Sequence, residues 1–235
     1  LFLAVAAATM LLIASCEKET ETSGQIPGSG SLCFRATIEQ PVDTDTKASI
    51  NAENQLVWAT NDKIGIYFPD WGDKYQSFTL SEGAGTTEGT FTRDASGDYN
   101  PADATVAYFP WRNGTNMYEN NLYFELPSEY WSYDNGDMAT PLVATLSSSD
   151  AISFKHAGAA VKLTVNNLVS GTYAVKMTVD GKQIRGYYHI NPANAGTDAM
   201  VPNDAENTSW NYVTLNSWKS SGAFSWVFPV PELTK

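Results

Sequence analysis

SLCFRATIEQ, residues 31–40, sets Leu32, Phe34, Ala36 and Ile38 against Cys33, Arg35, Thr37 and Glu39. Apolar residues at every second position share one face of an extended chain, so the segment predicts a half-buried β-strand. The same period returns downstream. Ile64, Ile66 and Phe68 oppose Lys63 and Tyr67; Val161, Leu163 and Val165 oppose Lys162 and Thr164; Val175, Met177 and Val179 oppose Lys176, Thr178 and Asp180. Turn dipeptides separate these runs: Ser96-Gly97, Asn113-Gly114, Asn135-Gly136, Ser170-Gly171, Asp180-Gly181 and Ser221-Gly222. Asp180-Gly181, between two extended runs, predicts a hairpin, because both central residues of a type I′ turn need positive φ. No helical period persists after Cys16. Many short strands with regular turn signals predict an all-β chain of antiparallel sandwiches. A polar turn near Leu168–Gly171 divides the body into 31–168 and a shorter unit, 169–235.

Composition narrows the function. An apolar content of 43% with 17% charged residues suits a chain that buries a core. A net charge of −12 and a pI near 4.5 make phosphate backbones repulsive partners, so nucleic acid is not expected.

The front of the chain is different in kind. Residues 1–14 are apolar apart from Thr9, too few to cross a bilayer as a helix, and they end in Ala14-Ser15 before Cys16. This reads as the apolar region and cleavage site of an export signal, residues 1–15, with the start of the gene product missing. Ile13-Ala14-Ser15-Cys16 resembles a bacterial lipobox, in which the Cys becomes acylated and leads the mature chain. Several acyl chains on one residue give a durable anchor. Glu17, Lys18 and Glu19 resemble the signal that sends lipoproteins of Bacteroidota to the outer face of the outer membrane. As plain solvated charges they would only begin a tether. Residues 16–30 are polar and rich in Gly and Ser, the composition of a flexible linker. With Cys16 assigned to lipid, Cys33 is left without an internal disulfide partner and reads as a small side chain on a strand.

Catalytic machinery does not assemble from these residues. The chain has two histidines, His156 and His189, and lacks HExxH, GxSxG, CxxC and a Gly-rich phosphate loop. The two His read as packing or surface groups. Asp134 and Asp137 are one carboxylate pair among 26 acidic residues, and with Asn135 they lack the spacing and distal Glu of a calcium loop. Neither a metal nor a cofactor is expected. Loop aromatics leave two readings open. Trp71, Tyr130, Trp131 and Tyr133 are either stacking platforms for a glycan or plugs folded over the open ends of the core.

WATNDKIGIY, residues 58–67, resembles the fimbrillin family of Bacteroidota, which shows a Trp, a turn ending in Asp, and a returning strand with an aromatic. Further landmarks follow in the family's order: Gly89-Thr90-Phe91, Ala107-Tyr108-Phe109-Pro110, Leu126-Pro127, Phe154-Lys155-His156-Ala157, Ile184-Arg185-Gly186-Tyr187 and Val227-Phe228-Pro229-Val230-Pro231. The resemblance implies two tandem transthyretin-like Greek-key β-sandwich domains, 31–168 and 169–235, the second incomplete. It implies a cell-surface fimbrial subunit or adhesin, lipid-anchored in the outer membrane, that joins other fimbrial subunits by strand addition. It also implies a possible maturation cut after Arg35, which otherwise reads as an outward-facing strand residue. The alternative function is a glycan-binding surface lipoprotein of a polysaccharide uptake system.

Overall fold

Phe34, Ala36 and Ile38 are buried while Arg35 and Thr37 face solvent, so the alternation at 31–40 becomes the strand it predicts. The computed structural model describes residues 32–39, 49–50, 56–72, 74–95, 100–112, 115–132, 141–147, 151–196, 199–203, 207–219 and 222–231. The chain is all-β. Besides strands, the described residues hold two single-turn 3-10 helices, Pro101–Asp103 and Pro192–Asn194.

Seven strands close into a barrel: β1 (Cys33–Ile38), β4 (Lys63–Tyr67), β5 (Tyr75–Glu82), β6 (Glu88–Arg93), β7 (Val106–Phe109), β11 (Leu142–Thr145) and β12 (Ala151–His156). Their spatial order is β1-β12-β11-β7-β4-β5-β6, and β6 returns to β1. Arg35 lies opposite Thr90 on antiparallel β6 and opposite Ala151 on parallel β12. Because β1 is hydrogen bonded on both sides, this sheet closes on itself and β1 leaves no open edge.

Aromatic rings fill the barrel. A short pair, β2 (Ser49–Ile50) and β3 (Leu56–Val57), delivers Trp58 to the interior, where it meets Phe91, Phe109 and Phe154 edge-on at 4.9, 5.4 and 5.6 Å. The tight turn expected at Asn61-Asp62 is present. Asn61 adopts φ 69°, the Asp62 N–H donates to the Ala59 carbonyl at 3.0 Å, and the Ala59 N–H donates to Asp62 Oδ2 at 2.8 Å. The returning strand β4 pairs with β5 and β7, not with β3.

A four-stranded sheet covers one side of the barrel. It comprises β8 (Asn116–Tyr118), β9 (Asn121–Leu126), β15 (Gly186–Ile190) and β16 (Met200–Pro202), ordered β16-β15-β9-β8. Its inner residues Leu122, Phe124, Leu126, Tyr188 and Ile190 pack with Tyr108 of β7 and Val143 of β11. That packing explains why neighbouring residues of β7 are buried on both faces: Ala107 and Phe109 face the barrel interior, Tyr108 faces the covering sheet.

The remaining strands build a smaller two-sheet module. β10 (Glu129–Ser132), β17 (Tyr212–Lys219) and β14 (Gly171–Thr178) form one sheet in that order; β13 (Ala159–Leu168) and β18 (Gly222–Val230) form the other. Tyr130, Ile184, Val213, Leu215 and Val230 are its buried centre. The β9–β15, β10–β17 and β13–β18 ladders all join strands on opposite sides of Leu168, so hydrogen bonding does not pause at the expected division.

Two expectations need correction. Gly181 has the positive φ of a turn, 68°, but β14 pairs with β17 while the next strand, β15, enters the sheet over the barrel. Asp180-Gly181 is therefore a turn between sheets and not a hairpin. Cys33 is disulfide-bonded, with its partner outside the described residues, rather than an unbridged thiol.

Candidate functional site

The loop aromatics are held inward. Trp71 is half-buried against the barrel core, and its Nε1–H donates to Asp103 Oδ2 at 3.2 Å, which is the plug arrangement. Tyr130 is 7% exposed in the centre of the smaller module, where burial raises its hydroxyl pKa well above the ordinary tyrosine range. Its ring is not available for stacking, which corrects the glycan assignment at this residue. Trp131 lies opposite Asn216 in β10, with its side chain outside the described set. Tyr133, Asp134, Asn135 and Asp137, together with Cys16, Glu17, Lys18 and Glu19, also lie outside the described residues.

Arg35 faces solvent in mid-ladder. A protease binds its substrate as an extended strand along its own cleft, so cutting here first requires stripping β1 from a neighbour.

The two histidines sit in unlike places. His156 is buried, and neither ring nitrogen has a hydrogen-bond partner among the described residues. Loss of hydration pushes its pKa down to about 4, so the ring is neutral near pH 7. His189 lies on β15 with its ring 4.2 Å from Tyr123. Among the described residues, no three His, Cys, Asp or Glu side chains gather as a metal site. Asp62 is pushed up to about 6 by burial, against the lowering effect of the Ala59 N–H bond.

The smaller module presents an incomplete apolar layer. Leu163, Val165 and Leu168 of β13, with Val175 and Met177 of β14, line its core yet remain only half-buried. Among the described residues β14 has one ladder, to β17, and its other edge ends the sheet. Lys176 Nζ stands 3.8 Å from the centroid of Tyr212, an attraction that fastens this edge strand to β17, and Arg185 Cζ, just before β15, stands 4.2 Å from the same ring. An apolar stripe beside an unpaired backbone edge can take up another extended chain: the edge supplies hydrogen bonds, the stripe contacts for alternate side chains.

Sequence reasoning missed a second surface. The outer face of the sheet over the barrel carries Tyr118, Tyr123, Tyr187 and His189, with Tyr118 and Tyr187 59% and 52% exposed. NLYFEL and GYYHI contain the signal, since both alternate an inward apolar or aromatic residue with an outward aromatic or polar one. Only the register places the outward residues side by side: His189 faces Tyr123, and Tyr187 faces Glu125. Comparison with family models, with curated proteins and with solved structures finds no match.

Proposed function

We propose that this chain is a lipid-anchored, cell-surface subunit of a fimbrillin-type fibre or adhesin, without enzymatic activity, joined to neighbouring subunits by strand addition. The observation that carries the reading is the half-buried stripe of β13 and β14 beside the open edge of β14. A neighbour's extended segment laid along β14 completes the sheet and covers Val175 and Met177. The smaller module is then the joint, and the sealed barrel is the rigid body it connects. Under this reading residues 31–168 and 169–235 descend from the two transthyretin-like units of the fimbrillin pattern, and the ordered landmarks from Trp58 to Pro231 support it.

Cys16 carries the anchor, and Glu17, Lys18 and Glu19 direct export to the outer surface. An acylated Cys16 carries a thioether sulfur with no thiol to oxidise, so in the anchored form Cys16 takes no part in a disulfide. Release by a cut after Arg35 requires a protease that acts before the barrel closes.

Electron microscopy of producing cells, immunolabelled against residues 31–235, tests the reading. Label along filaments supports it; label confined to the membrane, with no filament in any growth condition, overturns it.

A further inference from the structure

We propose that the outer face of the four-stranded sheet is a binding site for a neutral oligosaccharide, with Tyr118 and Tyr187 as stacking rings and the Tyr123–His189 pair as the ridge between them. Tyr118 and Tyr123 meet edge to face at 6.3 Å, and Tyr123 meets His189 in the same manner at 4.2 Å. Tyr118, Tyr123 and His189 brace one another and lose little rotamer freedom when a ligand arrives, so this part of the face is ordered in advance. The negative face of an aromatic ring attracts the weakly positive C–H bonds on one side of a pyranose, and stacking removes both surfaces from water.

Polar groups stand where a sugar's hydroxyls need them. Glu125 lies opposite Tyr187 across the β9–β15 ladder, and Asn116 opposite Tyr123 across β8–β9. Rings and hydrogen-bonding groups therefore alternate over the face, the arrangement that suits a ligand with a C–H surface and a hydroxyl rim. Glu125 on the face and the net charge of −12 set it against acidic glycans. Val201 of β16, opposite His189 and 54% exposed, extends the face, which even so is far smaller than the roughly 20–30 residues a side of a standard protein interface. The inner face of the same strands is already spent on Tyr108 and Val143 of the barrel.

This site lies apart from the edge of β14 and does not rest on fibre assembly, so purified protein suffices to test it. Native gels cast with laminarin, xyloglucan, galactomannan, soluble starch or polygalacturonate serve as the probes. Retarded migration in at least one neutral gel, with binding weakened at least about tenfold in Tyr118→Ala and in Tyr187→Ala, is the expected result. Both residues are exposed, so an unchanged melting temperature shows that the variants remain folded. Three results overturn the proposal: no retardation in any neutral gel, retardation that survives in the Tyr118→Ala/Tyr187→Ala variant, or equal retardation by polygalacturonate. Concentration-dependent sedimentation lost in the same double variant assigns the face to a second copy of the chain and overturns it as well.

Discussion

Gly65 lies so close beneath the ring of Tyr108 that a β-carbon at residue 65 would stand 2.1 Å from Tyr108 Cζ. The two residues are register partners across the β4–β7 ladder, and Tyr108 is also the barrel's contact with the sheet above it. A methyl group at this point displaces the ring and with it the sheet. Gly65→Ala is expected to cost about 1–3 kcal/mol, the range for overpacking, read from urea denaturation. The Tyr108 hydroxyl is buried with no partner among the described residues, so Tyr108→Phe is expected to hold or raise stability in the same experiment.

Trp58 joins three phenylalanines from β6, β7 and β12, strands distant in the chain. Its loss leaves a cavity that close-packed rings cannot fill. Trp58→Ala should cost about 3–5 kcal/mol. If the unfolding free energy read from urea denaturation falls by less than a fifth of that, the barrel core is not organised around this indole.

His156 and Asp62 tilt the pH dependence in opposite directions. The folded pKa of His156 is pushed below the ordinary 6.5, so its contribution is fully present above that pH and is lost as pH falls toward 4, by up to roughly 3 kcal/mol. The folded pKa of Asp62 is raised above 3.8, so its contribution is present below that value and is lost as pH rises through about 6. Between pH 4 and 6.5, His156→Leu should therefore gain stability relative to wild type most at the acid end. Asp62→Asn should gain relative to wild type most at the neutral end. Urea midpoints across this window, with both variants tilting the same way, would contradict the assignment.

These relationships differ in how far they could be read from residues alone. β1 was legible because its two faces differ at every step, and period 2 survives any tertiary setting. The closure of the barrel was not, since it depends on β1 pairing in parallel with β12, a partner that no local pattern names. Turn chemistry likewise fixes φ but not the partner, which is why Asp180-Gly181 turns without making a hairpin. The converse occurs at Glu119-Asn120, where both residues take positive φ, 47° and 65°, and join β8 to β9 with no glycine to announce the turn. Trp71 and Tyr130 read as loop aromatics, and only Asp103 in one case and the core of the smaller module in the other turn them inward.

Lipidation makes a sharp chemical prediction. Cys16→Ala should abolish incorporation of labelled palmitate and move the protein from the membrane to the soluble fraction. Intact-protein mass spectrometry of the membrane form should show a mass increase of several acyl groups on a chain that begins at residue 16. Retained label or retained membrane partition in the variant would remove Cys16 from the account.

Hydrogen–deuterium exchange over β14 tests strand addition most directly, comparing purified protein with filaments sheared from cells. The amides of Gly171–Thr178 that point away from β17 should exchange readily in the isolated protein and become strongly protected in filaments, while those bonded to β17 and those of β1 stay slow in both. Equal exchange at β14 in the two preparations would contradict the claim that a neighbour's backbone completes this sheet.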